Sequence, residues 1–175
     1  VVIMESTYGN RDHPALEDAQ GRLAEIVRET AARGGKLLIP AFAVGRTQEL
    51  VYDLHALARA GRIPEIPIFI DSPLAIDATS VFELHPDAFD RSEDLVQDVS
   101  KLFRFDLVRY TRDASESKQL NATRGPMVVI AASGMAESGR ILHHLQHGAD
   151  DPRNTILIVG FMAQHTLGRR ILERA

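Results

Sequence analysis

The chain has 175 residues, with 20 Lys plus Arg, 24 Asp plus Glu, 7 His and neither Cys nor Trp. That length suits one domain, and 45% apolar with 25% charged residues matches a soluble globular protein. Without cysteine there is no disulfide framework, thiolate zinc site or cysteine nucleophile, which fits a reducing cytoplasm, and a net charge of −4 argues against indiscriminate duplex binding.

Apolar runs alternate with helical stretches along the chain. VVIM (1–4) predicts a first strand. A helix follows over 15–33, with Pro14 in its first turn, Leu16, Leu23, Ile26, Val27 and Thr30 on one face, and Gly34-Gly35 as its stop. KLLIPAF (36–42) predicts a strand and 46–60 a helix, with the stripe Leu50, Val51, Leu54, Leu57 and Ala58 ended by Gly61. IPIFI (66–70) is a strand, and Ser72-Pro73 caps and starts a helix over 73–84. The acidic segment 83–98 reads as an insert on the sheet's rim, with a further helix over 92–103. LVRY (107–110) is a strand; Asp113 and Glu116 have capping-box spacing before a helix at 114–122. PMVVIAA (126–132) and TILIVG (155–160) are strands, 138–147 is a helix with Ile141, Leu142 and Leu145 inward, and a last helix starts near 165.

Most strands are nearly continuous in apolar character, as strands covered on both faces are. The pattern predicts a doubly wound α/β fold, a mainly parallel sheet of about six strands with right-handed crossovers. No apolar run is long enough for a bilayer and no leader pattern opens the chain, so no membrane partner is expected. The abrupt ends read as those of a piece of a longer protein.

Charge is unevenly spread. Residues 1–98 carry 9 basic and 17 acidic side chains; residues 99–175 carry 11 and 7, and 17 of the 20 cations are Arg. This permits an anion-binding face in the second half, or simply solvated helix faces.

Ligands of open α/β sheets bind beyond the strands' carboxyl ends, so the informative residues should follow the apolar runs. Glu5 is either an acid–base or supporting carboxylate, or one that accepts N–H bonds from its own turn. Ser133-Gly134-Met135, with Ser138 and Arg140 nearby, either turns backbone N–H groups outward as a phosphate nest or is an ordinary strand-to-helix turn. Arg46 heads a helix at the rim, free to reach a phosphate or paired with Glu49 or Asp71. His143, His144 and His147 cluster on one helix, and 143/147 have i,i+4 ligand spacing, but two His make a poor zinc site and a solvated or half-buried role is favoured. His13 and His165 are better placed on the rim, either as ligands or, the reading favoured, as capping or packing residues. The P-loop, dinucleotide and nucleophile-elbow patterns do not occur.

At these residues a family resemblance emerges. ESTYGNRDH (5–13), GGKLLIPAFAVGRTQEL (34–50), IDSPLA (70–75), AASGMAESGRILHHL (131–145) and ILIVGFMAQHTLGRRI (156–171) together resemble the β-CASP domain of RNA-processing metallo-β-lactamase-fold nucleases. The resemblance implies a Rossmann-like three-layer lobe over 1–175, with 1–6 a strand at the junction with a metallo-β-lactamase lobe that holds two zinc ions. It implies single-stranded RNA as partner and pairing of lobes as a homodimer. The family's acidic motif falls on Glu5, beside the metal centre. The G-R-x-Q-E and S-G-M segments place Arg46, Ser133, Gly134 and Met135 at the phosphates, with Ser72 and Arg140 beside them. The family's His-x-His-x-Asp-His zinc motif does not occur in the chain, so it carries no zinc ligands and is expected to be inactive alone. The competing expectation is a free-standing Rossmann-like nucleotide-binding or dimerisation module.

Overall fold

Segments apolar on both faces can be satisfied only at the centre of a layered structure, and three such segments form one sheet with a less buried strand at each edge. In the computed structural model, which describes residues 1–10, 12, 15–89 and 99–174, the strands are β1 (Lys36–Pro40), β2 (Ile68–Ile70), β3 (Val108–Tyr110), β4 (Met127–Ala131) and β5 (Thr155–Ile156). All pairings are parallel, in the order β3-β2-β4-β1-β5. The central register aligns Leu38 with Val129 and Ile70 with Ile130.

The helices are α1 (Leu16–Ala32), α2 (Arg46–Arg59), α3 (Pro73–Leu84), α4 (Val99–Phe103), α5 (Ala114–Ala122), α6 (Arg140–Gly148) and α7 (Leu167–Arg174), with a 3₁₀ turn at Pro86–Ala88. Strand alternation divides the core. Leu37, Ile39, Ile68, Ile70, Val128 and Ile130 face one side, against Val27 of α1, Leu50 and Leu54 of α2 and Leu102 of α4. Leu38, Val129 and Ala131 face the other, with Ile141 and Leu145 of α6 and Leu167 of α7. The connections from β1 and β2 move toward β3 on the first face. The connection from β4 moves toward β5 on the second, where α5 also packs on α6. Opposite directions on opposite faces are what a single crossover hand requires.

Local signals act as expected at several ends. Ser72 Oγ accepts the Ala75 amide (3.3 Å) at the head of α3, with Pro73 in the first turn. After α1 the chain reverses at Gly34, whose φ of +68° suits a residue without Cβ. Gly35 then passes so close to β5's lead-in that a Cβ would sit 1.9 Å from the Arg153 carbonyl oxygen. Asp113 does precede α5, but its side chain makes no cap hydrogen bond, so the capping box does not form.

Two strand expectations are corrected. Val1 to Met4 form no strand and are exposed: the described edges of the sheet are β3 and β5, and no described residue pairs with the segment. Among the described residues the sheet has five strands, in line with the expected sheet of about six. The run 155–160 pairs only over Thr155–Ile156, plus one bond from the Leu157 amide to Leu38 O (2.9 Å). The Leu38 carbonyl faces β5 and the Ala41 amide faces β4, so Pro40 comes next on the β5 side. Proline has no N–H, and the ladder stops. Pro14, His13 and residues 90–98, including most of the 92–103 helix, lie outside the described residues; of that helix α4 is described. Among the described residues no helix is long and apolar enough to cross a membrane.

Candidate functional site

The loops at the carboxyl ends of the strands share one rim, and two of them are locked by contact. Gly134, after β4, packs on Phe42, after β1: a Cβ there would lie 2.8 Å from Phe42 Cδ2 and 2.9 Å from the Phe42 amide nitrogen. Phe42 itself remains half exposed. Thr47 Oγ1 donates to Phe42 O (2.8 Å), and buried Gln48 Nε2 reaches Ala43 O, Ala75 O and Thr79 Oγ1 (3.2, 3.3 and 2.9 Å). Thus the G-R-x-Q-E segment fastens its own loop to α3 and leaves Arg46 at the surface. Arg46 pairs with Glu49 at 2.7 Å, both side chains exposed, rather than with Asp71.

The Ser133 loop is a self-contained turn. Ser133 Oγ accepts the amides of Glu137 (3.1 Å) and Ser138 (3.3 Å), and Ser133 O accepts that of Ala136 (3.1 Å). Those three amides turn inward, and of the residues expected to form a nest the Ser133 amide donates to Ser138 O (3.0 Å). The loop also seats α7. Met135 O accepts the Gly168 amide (3.0 Å), and Glu137 Oε1 accepts the Leu167 amide (2.5 Å). Thr166, not His165, caps that helix through the Arg169 amide (3.2 Å), while His165 is exposed with φ +70°.

Glu5 is exposed and accepts the Thr7 amide at 2.8 Å. The backbone hydrogen bond from Thr7 holds its carboxyl below the ordinary value. It does not end a strand, because residues 1–4 form none. Tyr8 meets Phe161 edge to face, with centroids 6.1 Å apart, which brings the Glu5 turn beside the loop after β5.

Asp71, at the carboxyl end of β2, is the residue the sequence reading undervalued. It is fully buried and gathers three side-chain donors: Ser117 Oγ (2.5 Å), Arg140 Nη1 (2.5 Å) and His144 Nε2 (2.7 Å). Burial by itself pushes its carboxyl up, but the bonds from His144, Ser117 and Arg140 outweigh that and hold it below its ordinary value. Arg140 also donates to Thr111 O (2.9 Å) and Arg112 O (2.6 Å), tying the loop after β3 to the head of α6. His144 Nδ1 lies 2.7 Å from Asn121 Oδ1. Of the three clustered histidines this one is buried, while His143 and His147 are exposed, with His147 Nδ1 2.7 Å from His143 O. The available signal was the i,i+4 pair Arg140/His144 on one helix face, rather than 143/147. Among the described residues no three His, Cys, Asp or Glu side chains come together as a metal site.

Comparison with known proteins agrees with this frame. A sequence model of the Beta-Casp domain matches residues 47–171. The chain is 40% identical over 178 aligned positions to "Ribonuclease TTHA0252" of Thermus thermophilus, covering 99% of this chain and 40% of that protein. It is 37% identical over 174 positions to "Transcription termination factor FttA" of Methanosarcina mazei and 34% identical to that of Pyrococcus horikoshii, covering 97% of this chain and about a quarter of each. The chain thus spans less than half the length of these relatives. An all-parallel α/β sheet, the ordered rim motifs and this match over most of its length together show that the chain belongs to the β-CASP domain family.

Proposed function

We propose that the chain is the RNA-clamping β-CASP lobe of an RNA-processing ribonuclease, holding a single strand across the rim. The observation that carries this is Arg46. It heads α2 beside the Phe42–Gly134 contact, and its ion-pair partner is an exposed carboxylate, Glu49, with Asp53 also within its electrostatic reach. Such exposed pairs contribute little, so the guanidinium can exchange Glu49 for a phosphate. Arg140 acts instead as a positioning residue, since Asp71 and two carbonyls already hold it. Half-exposed Phe42 and Phe161 offer ring faces of the kind bases stack on. The named activities of the relatives, a ribonuclease and transcription termination factors, support the same reading.

The family resemblance implies a two-zinc centre for hydrolysis. The described residues do not fit one, since no three ligating side chains converge. The cleavage step is therefore assigned to the part of the relatives that this chain does not span, with Glu5 reaching toward it from the rim. Alone, the chain should not cleave RNA with or without added zinc; cleavage that Glu5→Gln abolishes would overturn this.

Fluorescence anisotropy of a short single-stranded RNA tests the clamp. Arg46→Ala should weaken binding several-fold on every sequence and reduce the salt slope by about 0.7, the value for one phosphate contact on a single strand. Duplex bound as tightly as single strand, or no binding at low salt, would favour the nucleotide-binding or dimerisation module instead.

A further inference from the structure

Helices α5 and α6 both leave the carboxyl-end rim and run to the opposite end of the sheet, packed side by side. Between them lies a cavity of about 470 Å³ bordered by Lys118, Arg140, His143 and His147, with Ala114, Ser117 and Ala122 also lining it. It meets a second hollow of about 190 Å³ through shared residues Asn121, Ala122 and His147. The second is bordered by Lys36, Arg124 and Arg153, which precede or begin β1, β4 and β5 at the strands' amino ends. The two hollows form one basic track down the flank of the domain. Nine residues of α5 make its upper part alone about 14 Å long.

Among the described residues, three of the five cations on this track, Lys36, Lys118 and Arg124, have no ion pair, while Arg140 is held by buried Asp71. Asp151 is the one acidic residue lining it, and Arg153 binds that carboxylate at 2.7 Å. Lys36 Nζ caps the end of α5 through Leu120 O (2.6 Å) and Asn121 O (3.0 Å). Among the described residues, the exposed side chains of Lys118 and Arg124 have neither a hydrogen bond nor an ion pair. On a chain of net charge −4, a concave line of five cations, with Lys118 and Arg124 unpaired among them, is a local exception that suits an anionic occupant.

We infer that the α5–α6 groove is a second nucleic-acid contact, along which the phosphate backbone of a single strand continues after it leaves the rim at Arg140. This rests on the RNA-clamping reading above. A continuous polyanion fits better than a single phosphate, because the cations are strung along a track rather than gathered at one point. The α5 residues lining this groove (Ala114, Ser117, Lys118, Asn121 and Ala122) include no carboxylate; Asp113 and Glu116 do not line it.

The test compares short and long single-stranded RNA on wild type, Arg46→Ala, Lys118→Glu/Arg124→Glu and the milder Lys118→Gln/Arg124→Gln. Melting curves check that each variant folds. The groove predicts that charge reversal weakens the long RNA about tenfold and lowers its salt slope by about 1.4, as for two lost phosphate contacts, leaving the short RNA unchanged. The neutral pair should show a smaller loss of the same kind. If Arg46→Ala weakens both RNAs while both groove variants bind the long one like wild type, the groove proposal fails and the rim reading stands. If wild type binds neither RNA at low salt, both fail. Polyglutamate that displaces the long RNA at equal charge would show a surface for acidic peptides and would also overturn the proposal.

Discussion

His144 Nε2 and Asp71 Oδ2 lie 2.7 Å apart although 73 residues separate them in the chain. The contact joins the end of β2 to the middle of α6, and Arg140 one turn earlier extends it to the loop after β3. A buried carboxylate with three donors is stable only while all remain. Removing one partner leaves others desolvated and unpaired.

Asp71→Ala should therefore cost about 3–5 kcal/mol and lower the melting temperature by roughly 10 °C for a domain of this size. Asp71→Asn, which keeps the shape, should cost less. Calorimetry showing a loss below about 1 kcal/mol for the alanine variant would mean that the cluster relaxes to water.

The same carboxylate governs acid stability. Its folded pKa lies below its unfolded one, so the unfolded chain takes up the proton first as pH falls. The contribution is complete above about pH 4 and is lost as pH drops through the folded value. Urea unfolding between about pH 5 and 3 should show a steep fall for wild type and a shallower one for Asp71→Asn. Parallel curves would reject Asp71 as the source.

His55 should produce a separate effect at higher pH. Its ring stacks on Phe105 at 4.3 Å and its Nδ1 lies 3.0 Å from Leu102 O. Burial pushes its pKa down, more than the Leu102 carbonyl raises it. Its stabilising contribution is present above about pH 6.5 and is lost as pH falls through the folded value. His55→Phe should flatten the stability profile between about pH 7 and 5, and an NMR titration of the ring should place its midpoint below that of an unfolded peptide.

Gly134→Ala should force the Phe42 and Ser133 loops apart, because one of the obstructing atoms is backbone nitrogen at 2.9 Å. We expect a loss of about 1–3 kcal/mol and weaker RNA binding, since the Phe42 loop leads into Arg46. An unchanged melting curve would show that the rim loops are not coupled through this contact.

Helix positions were legible wherever the signal is local. The bounds of α3 and α5 follow from Ser72-Pro73 and from the 114–122 pattern, and the apolar stripe of α2 is buried at Leu50, Val51, Leu54 and Leu57. VVIM misled because apolar β-forming character does not make a strand without a neighbour to accept its hydrogen bonds. The 155–160 run misled because its length on the sheet is set by Pro40 on another strand.

The amino-acid sequence by itself therefore determined the layer architecture, most element ends and the ordered rim motifs, all of which depend on spacing within a few residues. Only the tertiary structure decided the strand order β3-β2-β4-β1-β5, since β1 and β4 are alike in apolar character and neither names its neighbour. It alone decided that His144 rather than His143 or His147 turns to the core, that Arg140 is held by buried Asp71 while Arg46 pairs with exposed Glu49, and that Lys118 and Arg124 border neighbouring hollows that share Asn121, Ala122 and His147. Each of these depends on which distant group arrives opposite, and that is fixed by closure of the sheet and not by any local period.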